Sequence, residues 1–289
     1  MKVDLLAGTH HARPGRSRDR VPRVLVFDSG LGGLTVHAEI ARRMPAAELI
    51  YVADTAVFPY GRLGESELVA RVNAVIDAAV RLFEPDMAVI ACNTASTLAL
   101  PVLRANHAIP FVGTVPAIKP AAAQSTSRAI SVLATAGTVA RDYTRELIAE
   151  HARGCAVTLV GSANLASIAE AALNGESAPD EAVLAEIAPA FVDKDAARTD
   201  VIVLACTHYP LILDRLKALA PWPVRWIDSA PAIARRVADL AGEITEDFPP
   251  PPPMRALFTS DRDLTPALRA ALAARGIAET GVLPVAVKE

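Results

Sequence analysis

Cys92 and Cys206 stand in matching surroundings. Each closes an apolar run with Ala-Cys and is followed at once by small polar residues, Asn93-Thr94-Ala95-Ser96 after the first and Thr207-His208-Tyr209-Pro210 after the second. Two thiols in equivalent positions suit a reaction that inverts a carbon centre, one group taking a proton from one face and the other delivering a proton to the opposite face. A free thiol has a pKa of about 8.5, so modest local tuning lets one be thiolate while its mate stays protonated. Groups that move protons work best with a pKa near the operating pH. Taken singly, either cysteine reads more simply as a buried structural residue, because free Cys is among the most buried types. Their shared context favours chemistry. His208, two residues past Cys206, and Asp28, at the end of another apolar run, are the groups expected to tune the thiol nearest to each. A cysteine hydrolase with Cys206 as nucleophile and His208 as base is disfavoured, since a two-residue spacing at a strand tip makes that pairing awkward and leaves Cys92 without a role.

The elements that must carry these residues read as alternating strands and helices. Residues 87–90 and 201–205 are uncharged runs bounded by turn formers, the mark of strands buried on both faces of a parallel sheet. The cysteines then sit at strand tips, where open α/β sheets place their chemistry. Residues 24–27 form another such strand, running into Asp28-Ser29-Gly30-Leu31-Gly32-Gly33-Leu34-Thr35 and a helix to about Arg43. A glycine-rich turn before a helix aims backbone N–H groups at an anion. This one fails the nucleotide patterns, because Thr35 stands where G-x-G-x-x-G needs its third glycine and no Gly-Lys-Ser/Thr follows. It reads as a cradle for a small carboxylate. Asp28 at its mouth would repel an anion, and makes sense if it binds an ammonium group or polarises a thiol.

Residues 49–53 give a second strand, ending at Asp54 before the unusual loop 55–61. A helical apolar stripe covers residues 66–83, and a helix to about Ala105 follows Cys92. A short strand lies at 111–113. The pattern then restarts: a strand at 129–134, a turn into a helix through Glu150, a strand at 157–160, helical segments at 165–173 and 180–192, and the strand that delivers Cys206. After it come a strand at 224–227, a helix at 230–241, a stiff run of prolines at 249–253, a strand at 256–259 and a helix at 264–275. The expected architecture is α/β: two similar open parallel-sheet domains facing each other, with the active site in the cleft between them. Residues 1–22 form a basic, disordered leader, 23–115 with 229–289 the first domain, carrying Asp28 and Cys92, and 116–228 the second, carrying Cys206.

Composition narrows the function classes. With 289 residues, 52% hydrophobic, the chain can build two cores, and a net charge of -3 offers no field for nucleic acid or a membrane surface. Three cysteines give neither a disulfide framework nor zinc spacing, so a reducing cytoplasm fits, and Cys155 at a strand start reads as structural. The longest uncharged run, residues 87–103, is too short to span a bilayer, and the opening residues lack the features of a signal peptide.

Several blocks together resemble the glutamate racemases of the aspartate/glutamate racemase superfamily. They are Val26-Phe27-Asp28-Ser29-Gly30-Leu31-Gly32-Gly33, Asp54-Thr55 with Pro59-Tyr60-Gly61, Ala91-Cys92-Asn93-Thr94-Ala95-Ser96, and Ala205-Cys206-Thr207-His208-Tyr209-Pro210. Supporting blocks are Pro116-Ala117-Ile118-Lys119-Pro120-Ala121, Leu133-Ala134-Thr135 with Gly137-Thr138-Val139, and Ile227-Asp228-Ser229. The resemblance implies a cofactor-independent bacterial enzyme, cytoplasmic and homodimeric, that supplies D-glutamate for peptidoglycan. By position, Cys92 and Cys206 are then the catalytic acid/bases, acting on the D and the L enantiomer respectively. Asp28 and His208 are their helpers. Asp28, Ser29, Tyr60, Gly61, Asn93, Thr94, Thr207 and His208 line the glutamate site, with Glu170 and Thr135 as further site positions. The chain departs from the family at Gly161-Ser162-Ala163-Asn164, where relatives often carry Ala-Cys-Pro before the acid that maps to Glu170, and at Ala136, where relatives often carry a larger residue. The alternatives are a sibling racemase acting on aspartate or another amino acid and, more remotely, a non-catalytic carboxylate-binding or partner-inhibiting protein.

Overall fold

The computed structural model describes residues 20–194, 197–242, 249–262 and 264–285. They divide into two compact units, one drawn from residues up to 114 and from 230 onward, the other from residues 115–229. The first unit opens with β1 (Arg23–Asp28), α1 (Leu34–Arg43), β2 (Glu48–Ala53), α2 (Glu65–Phe83), β3 (Met87–Ile90), α3 (Asn93–Asn106) and β4 (Phe111–Gly113). The second begins with α4 (Ile118–Gln124), β5 (Ala129–Thr135), α5 (Ala136–Val139), α6 (Asp142–His151), β6 (Ala156–Ser162) and α7 (Leu165–Leu173). It continues with α8 (Asp180–Ile187), β7 (Asp193–Lys194), β8 (Ala197–Arg198), β9 (Val201–Leu204), α9 (Leu213–Leu219) and β10 (Arg225–Ile227). The chain then returns to the first unit with α10 (Ala230–Ala241), β11 (Met254–Phe258), α11 (Pro266–Ala273) and β12 (Ile277–Val282).

Each unit is built on one parallel sheet. The first has strand order β12-β11-β2-β1-β3-β4, and the second β6-β5-β9-β10, while β7 and β8 form a small antiparallel pair. Four adjacent strands of the first sheet, β2-β1-β3-β4, repeat the order of the second. In each the chain steps from the inner strand to one side, then crosses back to the other. That reversal creates a switch point between β1 and β3 and another between β5 and β9, the crevice where open α/β sheets bind ligands beyond their carboxyl ends. Cys92 follows β3 and Cys206 follows β9, so each sheet carries one thiol at its switch point. The duplication expected from the strand-Cys pattern is present in the topology.

The strands are buried on both faces, as their uncharged sequences require. In the second unit the two-residue period sorts side chains cleanly. Val201, Val203 and Ala205 pack with Ile118 and Ala121 of α4 and with Leu147 and Ile148 of α6, whereas Ile202, Leu204 and Cys206 pack with Leu165 and Ala169 of α7 and Val183 and Ile187 of α8. Strand parity alone thus points Cys206 toward the helix that carries Glu170.

Several elements differ from the sequence reading. The helix expected to run through Glu150 is two helices, because Arg141 is extended (φ -84, ψ 140) and starts α6 afresh. Thr135 caps the short α5 by accepting the Thr138 N–H at 3.3 Å, and Thr144 Oγ1 donates to the Thr138 carbonyl across the break at 2.8 Å. The segment expected to be helical to residue 192 leaves the α conformation after Ile187, where Pro189 sits in a single 3-10 turn. The closing elements return to the first unit, with Leu257 of β11 opposite Val52 of β2, and they include an edge strand, β12, that the sequence reading did not contain. Of the leader expected over residues 1–22, residues 1–19 lie outside the described residues, and the remainder is ordered. Arg20 Nη1 pairs with Asp86 Oδ2 at 2.8 Å, Val21 is buried, and the Pro22 carbonyl accepts the Glu48 N–H at 2.9 Å. Among the described residues no helix is long and apolar enough to cross a membrane.

The core of the first unit contains a buried histidine. His37 of α1 lies edge-on to Tyr51, fully buried, and its Nε2 has no hydrogen-bond partner among the described residues. Burial lowers its pKa from 6.5 to about 4. The unfolded chain therefore takes up this proton first as pH falls. Stability from the neutral ring is complete above pH 6.5 and is lost as pH drops toward 4, by roughly 3 kcal/mol at 1.36 kcal/mol per unit. His37→Leu should remove that component, so urea denaturation at pH 7 and at pH 4.5 should show a smaller acid loss in the variant. Equal losses in both proteins would contradict a buried neutral ring.

Candidate active site

Asp28 ends β1 with its carboxylate turned into the glycine turn. It accepts the Ser29 N–H at 2.8 Å with Oδ1 and the Gly33 N–H with Oδ2. A Cβ on Gly33 would come within 2.7 Å of Asp28 Cβ and 3.1 Å of Ala91 Cβ, so glycine is required there. Tyr51 holds the same turn by donating to the Gly30 carbonyl at 2.6 Å. Two of the N–H groups expected to cradle an anion are thus spent on the chain's own Asp28. The Ser29 hydroxyl lies 3.6 Å from Cys92 Sγ and 3.5 Å from Asp28 Oδ1, which makes it the link between carboxylate and thiol.

Cys92 is buried and stands at the N-cap of α3, extended at φ -74 and ψ 121. A helix N-terminus favours negative charge at its cap. Asn93 and Thr94 fill the first turn, both buried, and neither Nδ2 nor Oδ1 of Asn93 finds a hydrogen-bond partner among the described residues. An unpaired buried amide costs about 1–3 kcal/mol, a cost that a polar ligand would remove.

Tyr60 is buried in the loop after β2, its hydroxyl donating to Asp54 Oδ2. Burial first, then the Asp54 charge, with a smaller push from Cys92, raises the phenol well above its ordinary pKa, so it remains a donor. Asp54 is the hub of this region and has no exposure. Arg71 of α2 grips it with Nε at 2.8 Å and Nη2 at 2.6 Å, and Thr259, just after β11, donates to it at 2.6 Å. Gly61 is exposed, and a Cβ there would meet nothing within 4 Å, so the packing of this unit does not demand glycine at that position.

In the second unit, Cys206 Sγ lies 3.8 Å from His208 Nδ1, and His208 Nε2 lies 2.6 Å from Glu170 Oε2. The two-residue spacing expected to make the Cys–His pairing awkward does not, because the chain turns at once into the 3-10 helix Tyr209–Ile212 and brings the ring back over the thiol. His208 is buried, which alone would lower its pKa. The Glu170 carboxylate and the bond to Cys206 outweigh that and hold the imidazolium well above the ordinary value. Thr207 is buried between the two, and Thr135, at the tip of β5, bonds Thr138 Oγ1 at 3.0 Å. Cys155 lies outside this grouping, half-buried before β6 with Arg128 Nη1 at 3.8 Å.

In the first unit the structure brings Asp28, Ser29 and Cys92 together, and in the second Glu170, Cys206 and His208. Four supporting residues were not singled out from sequence: Arg71, Thr259, Ser162 and Glu186. Arg71 carried a signal, since it falls on the buried stripe of α2 with Leu68, Val72 and Val75 and an arginine there demands a buried acid. Thr259, Ser162 and Glu186 gave none, because their partners are distant in sequence or sit in an irregular turn.

The chain is similar to proteins of one known family. The Asp/Glu/Hydantoin racemase family matches residues 34–237. A glutamate racemase from Brucella canis is 52% identical over 242 residues, which is 83% of this chain and 87% of the relative. One from Agrobacterium fabrum is 54% identical over 223 residues, 77% of this chain and 82% of the relative. The crystal structure of Escherichia coli glutamate racemase, in complex with L-glutamate and the activator UDP-MurNAc-Ala, superposes with a TM-score of 0.84 at 40% identity, covering 92% of this chain and 100% of that one. With the family match over residues 34–237 and 52% identity to a glutamate racemase over most of both chains, the chain belongs to the Asp/Glu/hydantoin racemase family, on the side of its glutamate racemases.

Proposed function

We propose that this chain interconverts L- and D-glutamate without a bound cofactor, using Cys92 and Cys206 as paired acid/base groups. The observation that carries the reading is that each of two like sheets presents one buried thiol at its switch point with its own hydrogen-bonding partners. The 52% identity to glutamate racemases supports glutamate as the substrate. Inverting the α-carbon takes a base for one face and an acid for the other, and two thiols supply both. From D-glutamate, Cys92 as thiolate takes the α-proton and Cys206 as thiol returns one to the opposite face. From L-glutamate the roles exchange, and no proton is gained or lost overall. Ser29, oriented by Asp28, serves Cys92. His208, oriented by Glu170, presents a charged N–H to Cys206 and offsets the negative charge that forms there. Asn93, Thr94, Tyr60, Gly61 and Thr207 contact the substrate, with Thr135 beside Cys206, and the unpaired Asn93 amide is the group most in need of a polar ligand. The product serves peptidoglycan synthesis in the bacterial cytoplasm, and the working form is a homodimer.

Circular dichroism of an L-glutamate solution tests this directly. The signal should decay to zero with added protein, at an undiminished rate after exhaustive dialysis. A persistent signal would refute racemisation of glutamate, and loss of activity on dialysis restored by pyridoxal phosphate or a metal would refute the cofactor-free mechanism. Decay with L-aspartate in its place would assign the chain to the sibling activity.

A further inference from the structure

We infer that Glu186 is a positioning residue for the Cys206 half of the reaction, fixing through Ser162 and Asn164 the height at which α7 presents Glu170 to His208. The inference rests on the racemase reading above. Glu186 comes from α8 and reaches across to the turn between β6 and α7. Its Oε2 accepts the Ser162 hydroxyl at 2.6 Å and the Ala163 N–H at 3.2 Å, and its Oε1 accepts Asn164 Nδ2 at 2.8 Å. Ser162 Oγ, having given its proton to Glu186, accepts the Leu165 N–H at 3.0 Å, the first N–H of α7. One carboxylate therefore holds three consecutive residues and, through the serine, the start of the helix.

The Ser162 hydroxyl alone would meet that N–H of α7 without help from Glu186. Ala163 and Asn164 are exposed, so the extra contacts bury nothing. What they add is a fixed origin for α7. Glu170 lies in that helix, and its carboxylate meets His208 Nε2 at 2.6 Å, a contact whose strength falls steeply with small displacements. Burial alone would raise the pKa of Glu186. The Ser162 hydroxyl, the Asn164 amide and the backbone N–H groups outweigh that and hold the carboxyl below its ordinary range, consistent with a full set of donors around it. Ser162 and Asn164 both serve the clamp.

The test compares Glu186→Ala with Glu186→Gln. A glutamine keeps one acceptor for Ser162 and Ala163, and its NH2 faces Asn164, whose amide can turn to offer oxygen. Every contact of the clamp survives without the charge. Glu186→Ala should lower kcat/KM about tenfold to a hundredfold, as expected for a misplacement of about 1 Å. The loss must be equal in both directions, because the enantiomers have an equilibrium constant of one. The isotope effect with α-deuterated L-glutamate should rise, because abstraction by Cys206 becomes more rate-limiting, and that with α-deuterated D-glutamate should fall, because reprotonation by Cys206 then limits the rate more than abstraction by Cys92. The His208 ring, assigned by loss of its NMR signal in His208→Asn, should titrate at lower pH in Glu186→Ala, where Glu170 is displaced from it while Cys206 remains. Glu186→Gln should stay within about threefold of the parent in rate and leave the titration unchanged.

Equal damage in the two variants would overturn the inference, as would lost activity with unchanged isotope effects and an unchanged His208 titration. If Glu186→Ala does not fold, Asn164→Ala should shift the His208 titration in the same direction by less, and no shift would be decisive against the clamp. If the parent does not racemise glutamate, the functional reading fails. The His208 titration then judges the clamp alone, a fall in Glu186→Ala supporting it and no change refuting it.

Discussion

Replacing either Cys92 or Cys206 by alanine is expected to abolish racemisation of glutamate, lowering kcat/KM by at least about a thousandfold in both directions. A positioned acid/base group contributes roughly 10²–10⁴-fold, and each variant leaves one face of the α-carbon with none. The Ser29 hydroxyl and the Glu170–His208 pair survive the respective substitutions, so each variant keeps its surroundings and loses only the proton carrier. The remaining thiol should still work on its own face. In heavy water Cys206→Ala should exchange the α-proton of D-glutamate without inverting it, and Cys92→Ala should do the same with L-glutamate. Proton NMR reads the exchange, circular dichroism the inversion, and a thermal melt confirms folding. Near-normal inversion in either alanine variant would end the two-thiol account.

The largest stability effect should come from the Asp54 hub. Arg71→Met removes the bidentate partner of a carboxylate with no exposure, and stranding one member of a buried pair costs about 3–5 kcal/mol. The bonds from Tyr60 and Thr259 to Asp54 remain and place the effect toward the lower end. Asp54→Leu combined with Arg71→Met removes both charges, so most of that stability should return, since a well-packed apolar pair is often as stable as a buried ion pair. Activity should not return with it, because Tyr60 then has no acceptor and the loop that carries it is released. Urea denaturation and racemase rates on the single and double variants separate the two consequences. A double variant with recovered activity would show that Tyr60 does not depend on Asp54 for its position.

What the sequence revealed follows from how local each signal is. Strand tips were legible because an uncharged run must be buried on both faces, which placed Cys92 and Cys206 at equivalent positions and made the repeat visible. The strand β12, Ile277–Val282, escaped because Ile-Ala-Glu-Thr-Gly-Val sits on the sheet edge, half-exposed, with no apolar run to mark it. The helix α4 escaped because seven residues beginning Ile-Lys-Pro are too few to establish a helical period. Asp28 was legible as a residue of interest, but not as the acceptor that closes its own glycine turn, since that depends on side-chain direction within a tight loop. The Cys206–His208 contact was undervalued for the same reason, because spacing in sequence says little once the chain turns sharply at the strand end.

The return of β11 and β12 to the first sheet has a consequence for the order of assembly. The second unit is one unbroken stretch, residues 115–229, and is complete once that stretch has left the ribosome. The first unit starts earlier and finishes later. Until β11 arrives, β2 is an open sheet edge, with apolar residues on both faces and unpaired backbone groups along its side. Asp54 likewise waits for Thr259, 205 residues farther along the chain. The half of the molecule that is synthesised first is therefore the last to close, and the nascent chain spends that interval with the β2 edge uncovered.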